Sequence, residues 1–426
     1  MQIINYPPES AWPDLMRRPD EDNSALFEQV AGMLAEIKFK GDVAVRAYSL
    51  KFDGYTADSF ELQAEEITAA CREVNPKLKQ AIRQAKRNIE AFHQAQVQAP
   101  VSLEVQPGVS CWQSSVPIEN VGLYIPGGTA PLFSTVLMLA VPAQIAGCRE
   151  IVLCSPPDKE GRIHPAIVYA ADLCGIKRIF KIGGVQAIGS MAYGTETVPK
   201  VYKIFGPGNR YLTAAKQLVS LEDTAIDMPA GPSEVLVMAD ETAVPAFVAA
   251  DLLSQAEHGS DSQVILLTTS SHLAEAVLKE SQIQCAALPR AEFAMKALEH
   301  SRIILLKDRA EIMDFSNQYA PEHLIISMKD YRSLAERVTN AGSVFLGNYS
   351  PESAGDYASG TNHTLPTKAY ARAYSGLNLD SFKKKITFQE ISREGLQALG
   401  PIIELMAENE ELMAHKQAVS IRLKQD

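Results

Sequence analysis

The sequence predicts an α/β protein built on two open parallel sheets, and three observations predict it. Between residues 121 and 232, short apolar runs end in Gly or Pro and lead into helical stretches. A second series of the same form runs from 234 to 346. Both ends of the chain read mainly as helix. Strand, turn and helix in repetition are what a parallel sheet with crossover helices requires. At 426 residues the chain is too long for one ordinary core, so two main domains with smaller appendages are expected.

The first helix follows from Leu26, Phe27, Val30, Met33, Leu34 and Ile37, which recur every 3.6 residues, with Asn23 or Ser24 as cap and Gly41 as stop. A second begins at Pro76 behind an Asn75 cap and turns Leu78, Ile82, Ala85, Ile89 and Phe92 to one face. The first strand series is 121–125, 151–154, 178–182 and 201–205. Its turns are Pro126-Gly127-Gly128, Ser155-Pro156-Pro157, Gly183-Gly184 and Gly206-Pro207-Gly208. The second series is 234–238, 263–268, 302–306, 324–328 and 343–346, with helices at 245–258, 272–281 and 331–340 between strands. Residues 349–374 read as a polar loop, and loops of that length in compact proteins carry function or move. From 388 to 423 helix returns, and Pro401 is expected to break it.

Composition excludes several classes. Lys and Arg number 40 against 51 Asp and Glu, a net charge of −11, which disfavours nucleic acid and anionic membranes as partners. No apolar run spans a bilayer, and the start lacks a basic segment followed by an apolar block, so a cytoplasmic protein is expected. The six cysteines form no CxxC pair and read as reduced core residues. Any metal must then be held by His, carboxylate or amide groups.

Gly-rich turns at strand ends expose backbone N–H groups, so Tyr124 to Gly128 and Phe205 to Asn209 can cradle a pyrophosphate; taken alone, each reads more simply as a tight turn. No GxGxxG pattern is present. Gln255 and His258, three apart, share a helix face and suit a zinc ion; the same spacing suits a capped helix end. Glu322 and His323 are two acid–base groups in sequence. On a strand they point to opposite faces, so one substrate meets both only if Pro321 places them in a turn. Asp356 and His363 share a glycine-bearing loop that fits a metal or an Asx turn. Glu410 and His415 lie about 140° apart on a regular helix and read most simply as a solvated face. Four of the eight histidines fall in these groups, which weakly favours a site.

The same residues sit in long strings: VGLYIPGGTAPLFSTVLMLAVPAQIAGC (121–148), KIGGVQAIGSMAYGT (181–195), KIFGPGN (203–209), IDMPAGPSEVLV (226–237), DLLSQAEHG (251–259), APEHL (320–324), NAGSVFLG (340–347), SPESAGDYASGTNHTLPT (350–367) and AHKQAV (414–419). Their order over about two thirds of the chain resembles the histidinol dehydrogenase family. Before residue 110 only Lys51-Phe52-Asp53-Gly54 adds to the likeness.

The resemblance implies two incomplete Rossmann-like open parallel-sheet domains with small extended N- and C-terminal helical pieces. Its expected divisions are 1–22, 23–120 with 233–375, 121–232, and 376–426. It implies oxidation of L-histidinol through the aldehyde to L-histidine with two NAD in succession, the last step of histidine biosynthesis. One zinc per subunit is implied, held by Gln255, His258, Asp356 and His415. Glu322 and His323 match the catalytic pair, Ser233, His363 and Glu410 match substrate contacts, and Tyr124, Gln186 and Asn209 match dinucleotide contacts. A homodimer is implied in which the last zinc ligand comes from the partner. A zinc hydrolase, a dehydrogenase of another amino alcohol and a non-catalytic binding protein are the rival readings.

Overall fold

The computed structural model describes residues 1–19, 24–127, 130–222, 224–229 and 231–424. Asn23 and Gly128 lie outside the described residues. The strands are β1 (Gln2–Asn5), β2 (Val101–Gln106), β3 (Val109–Pro117), β4 (Asn120–Tyr124), β5 (Glu150–Ser155), β6 (Arg178–Lys181), β7 (Lys203–Phe205), β8 (Ala225–Ile226), β9 (Glu234–Ala239), β10 (Gln263–Thr268), β11 (Arg302–Leu305), β12 (His323–Ser327), β13 (Ser343–Leu346) and β14 (Lys383–Ile391). The chain divides into two compact units, Met1–Gln96 with Ile118–Ser381, and Val97–Pro117 with Phe382–Asp426.

The first unit carries both parallel sheets. One runs β6-β5-β4-β7-β8. Counted from β4 this is the order 3-2-1-4-5, the dinucleotide-fold order lacking its last strand. The other runs β1-β11-β10-β9-β12-β13 and is also parallel throughout. Counted from β9 it repeats the same order, with β1 added at the edge beside β11. The two incomplete Rossmann-like sheets therefore form as expected, and the edge strand β1 is an addition.

Alternation explains the second sheet. Every residue of β9 and β10 is buried, as a sheet covered on both faces requires. Val235, Val237 and Ala239 enter one core with the helix Pro245–Ala256, while Leu236 and Met238 enter the opposite core with Trp12, Phe315 and Tyr319.

Helices between residues 24 and 94 pack on the helices that flank the five-stranded sheet. Val30, Met33, Leu34 and Ile37 share a core with Ile188, Met191 and Ala192. The helix Pro76–Gln94 is capped by Asn75 Oδ1, which accepts from Lys77 N at 2.8 Å. Its buried stripe is Ile82, Ala85 and Ile89, then His93 and not Phe92, which is 46% exposed. The 3.6-residue drift carries the fourth inward position one residue on.

The second unit departs from the expected helical tail. β14, β3 and β2 form an antiparallel sheet in that order, so 388–391 is strand. The helix Arg393–Asn409 continues through Pro401. It stops where Glu411 takes a left-handed φ of 60°, and a second helix runs Met413–Leu423. Proline removes one N–H bond without ending a helix packed along its length; the left-handed residue redirects the chain. In the 349–374 stretch a short helix, Glu352–Tyr357, replaces expected loop. Among the described residues no helix is long and apolar enough to cross a membrane.

Candidate active site

The helix Arg309–Tyr319 ends at Ala320, whose left-handed φ of 53° turns the chain through Pro321 into β12. His323 is the first residue of β12, and Glu322 stands just before it. The adjacent residues therefore escape strict strand alternation. Both are buried. Glu234, opening the neighbouring strand β9, engages both: its N–H donates to Glu322 Oε2 at 2.9 Å, and its carbonyl lies 3.1 Å from His323 Nδ1. A carbonyl only accepts, so Nδ1 carries the proton in the neutral ring and Nε2 is left with its lone pair. His323 Nε2 has no hydrogen-bond partner among the described residues and lies 3.7 Å from Asp356 Oδ1.

Burial works against a charged His323, yet Glu322 and then Asp356 outweigh it and hold the ring's pKa well above the ordinary value. Burial pushes Glu322 up, against the pull of His323. For Asp356 burial is opposed by His323, His363 and His258, which together hold the carboxylate low.

Gln255 ends the buried face of helix Pro245–Ala256, and His258 N bonds back to Gln255 O at 3.2 Å just beyond it. Gln255 is 1% exposed, and its Oε1 has no hydrogen-bond partner among the described residues. A buried amide oxygen without a partner carries a desolvation cost that a cation can relieve. The rest of that amide interacts with Glu352, a buried residue that also accepts from Ser254 Oγ at 3.3 Å. Burial pushes the Glu352 carboxyl up to about 8. Asp356 follows one turn later on the same short helix. Gln255, His258 and Asp356 line one cavity of about 1640 Å³ with Glu322, His323 and Ser233. Among the described residues no set of three His, Cys, Asp or Glu side chains is gathered as a metal site; the third donor of this wall is the amide oxygen. Nitrogen and oxygen donors of this mixture fit a borderline cation such as zinc.

His363 is tied at both ring nitrogens, Nδ1 at 2.8 Å from Asp356 O and Nε2 at 3.1 Å from Thr135 Oγ1. Beside it Asn362 donates to Met138 O at 2.6 Å. Glu410 and His415 belong to the second unit. Glu410 caps the helix Arg393–Asn409, and His415 lies on the next helix, so the two do not share one helix as expected. Both are exposed.

The dinucleotide candidates gather at the carboxyl ends of the five-stranded sheet and line the same cavity. Tyr124 ends β4, and its hydroxyl accepts from Gly184 N at 3.2 Å. Gln186 is buried and donates to Asp53 Oδ2 at 2.9 Å. Asn209 caps the helix Arg210–Ser220, accepting from Tyr211 N and Leu212 N at 3.0 and 3.2 Å. Gly206, at φ 135°, sits against Tyr124 O where no side chain fits. β4 and β7 flank the point where strand order reverses, the place where such sheets bind ligands. The cleft runs from there to the amino ends of β9 and β12. Just past the carboxyl end of β9 in the second sheet, Asp240 accepts from Arg309 Nη2 at 3.1 Å and Lys329 N at 2.9 Å.

Asp53, Glu234 and Glu352 are absent from the sequence-derived site. Each lies inside a recognised string, but their roles depend on partners between 88 and 133 positions away or on burial, which spacing does not reveal.

Two dinucleotide-type sheets sharing one cleft, with a buried acid–base pair on its wall, define an α/β enzyme. The histidinol dehydrogenase family model matches residues 16–423. A histidinol dehydrogenase of Bacteroides thetaiotaomicron is 61% identical over 423 residues, covering 99% of each chain, and one of Escherichia coli strain K12 is 55% identical over 411 residues, 96% of this chain and 94% of that one. The crystal structure of histidinol dehydrogenase from Elizabethkingia anophelis superposes with a TM-score of 0.97 at 56% identity, covering 100% of this chain and 98% of that one. This chain belongs to the histidinol dehydrogenase family and is an oxidoreductase.

Proposed function

We propose that this enzyme oxidises L-histidinol to L-histidine through L-histidinal, the last step of histidine biosynthesis, reducing two NAD per substrate in the cytoplasm. The observation that carries the reading is the joint placement of Glu322, His323 and the unpartnered Gln255 oxygen in the cleft that begins at the Tyr124–Asn209 crevice.

Gln255, His258 and Asp356, with His415 of a second copy of the chain, would hold one zinc per subunit. Bound zinc would orient the substrate's imidazole and amine and, beside Asp356, oppose protonation of His323. Bound NAD, against Tyr124, Gln186 and Asn209, would accept the hydride in each oxidation. His323 Nε2 takes the alcohol proton, and the Glu234 carbonyl keeps Nδ1–H in place while it does so. Glu322, held by Glu234 N, takes a proton from the water that adds to the aldehyde. Ser233, His363 and Glu410 contact the substrate. The position of Glu410 and His415 in an exposed helical pair supports a homodimer with shared sites. The same unit exposes Val101, Leu103 and Val105 on β2 and Ile402, Leu405 and Met406 on its first helix, apolar surface that a second copy would cover.

The test is NADH absorbance from purified enzyme with L-histidinol and NAD, before and after chelation. Two NADH per histidinol, abolished by chelator and restored by zinc, is the expected result. Absence of NADH from folded, zinc-loaded enzyme overturns the reading; metal-dependent hydrolysis without NAD would favour a zinc hydrolase.

A further inference from the structure

Glu234 holds the acid–base pair entirely through its peptide groups, with its N–H on Glu322 and its carbonyl on His323. Its side chain points elsewhere, into a buried clamp. Arg18 Nε donates to Oε1 and Arg18 Nη2 to Oε2, both at 2.7 Å, so planar guanidinium meets planar carboxylate at two points. Lys368 N also donates to Oε1. Arg18 is fixed in turn: its guanidinium lies 3.9 Å from the centre of the Tyr319 ring, and Nη2 also donates to Tyr319 O at 2.8 Å. The Tyr319 hydroxyl donates to Gln263 Oε1, whose amide nitrogen donates to Arg17 O. Glu234 is 2% exposed.

Such a pair is more than surface decoration. Exposed ion pairs add little, whereas a buried, bidentate one fixes geometry and leaves a buried charge if either partner is lost. The carboxylate fixed here belongs to the residue whose peptide sets the His323 tautomer. A small displacement of that carbonyl releases Nδ1–H and lets the proton move to Nε2, where the ring cannot act as a base.

We propose that Arg18 is a positioning residue for catalysis: by clamping the Glu234 carboxylate it fixes the two peptide groups that hold His323 in its Nδ1–H form and aim Glu322. The inference rests on the acid–base assignment above and gives the N-terminal segment a role in the chemistry.

The test compares the zinc-loaded enzyme with its Arg18→Met and Arg18→Lys variants. Met keeps length and removes all donors; Lys keeps charge and loses the fork. The expected result is a kcat loss of about 10–100-fold in Arg18→Met with KM within about 3-fold, and a smaller loss in Arg18→Lys. Nitrogen NMR of histidine-labelled protein, at a pH where the ring is neutral and with His323 assigned by its loss in His323→Asn, reads the tautomer directly. Wild type should show Nδ1–H and Arg18→Met a shift toward Nε2–H. An unchanged tautomer and kcat in folded Arg18→Met overturn the proposal. If Arg18→Met does not fold, the same readouts on Arg18→Lys decide it. The tautomer is measured without turnover, so an inactive wild type counts against the functional reading and not against the clamp.

Discussion

His323 Nε2 stands 3.7 Å from Asp356 Oδ1, too far for a hydrogen bond and close enough to feel its charge. The nitrogen that would take the substrate's proton is thus the one facing the carboxylate that would hold the metal. Replacing His323 with Asn keeps the Nδ1-like donor toward Glu234 O and removes the base. His323→Asn should retain fold and zinc while turnover falls about 10²–10⁴-fold in steady-state assays. Near-normal rates would remove His323 from the role.

Glu352 is not expected to touch substrate, yet it faces Gln255 and shares a helix with Asp356. Glu352→Ala should leave the chain folded and weaken zinc retention about 10–100-fold, the range for partners that orient metal ligands. Metal content after dialysis against graded chelator measures this. Wild-type retention would mean that Gln255 is held without it.

His415 lies in the second unit, away in sequence from every other proposed ligand. His415→Ala should lose zinc in the same dialysis assay. Mixing it with His323→Asn should restore part of the activity if ligand and base come from different copies, since some hybrid sites then receive both intact residues. No recovery despite demonstrated subunit exchange would argue that each chain builds its own site.

Asp251, on the helix that carries Gln255, has its carboxyl raised by burial to about 7. A carboxyl whose folded value exceeds its unfolded one binds protons more tightly when folded. Its contribution is present below the ordinary carboxylate value and is lost as pH rises through about 7. Asp251→Asn should therefore stabilise the protein at pH 8 and do little near pH 4. The difference in proton affinity caps the gain at about 4 kcal/mol, and screening of a partly exposed group brings it to about 1–2 kcal/mol. Melting temperatures of both proteins across that range would show it; a constant offset would place the cause elsewhere.

Much of the first unit was legible because parallel strands buried on both faces read as continuous apolar runs closed by glycine and proline. β10 and β13 coincide with their expected spans, and the other strands of both series differ by one or two residues at their ends. The antiparallel sheet was not legible: β2 and β14 are largely exposed, so neither burial nor alternation marks them. The break expected at Pro401 falls at Glu411, because a backbone angle, not residue type, decided it.

By itself the sequence determined the two sheets, the glycine turns at the mouth of the crevice and, through its long ordered strings, the family. Only the tertiary structure decided where the chemistry stands. Strand rules point to carboxyl ends, and the crevice proposed for the dinucleotide obeys them. The acid–base pair instead opens β12 at the amino edge of the second sheet, while just past the carboxyl end of β9 Asp240 pairs with Arg309. The joining of Arg18, Glu234 and His323 also came only with folding. Hydrogen bonds between residues more than two hundred positions apart depend on how sheets pair in space, and local pattern carries no record of that pairing.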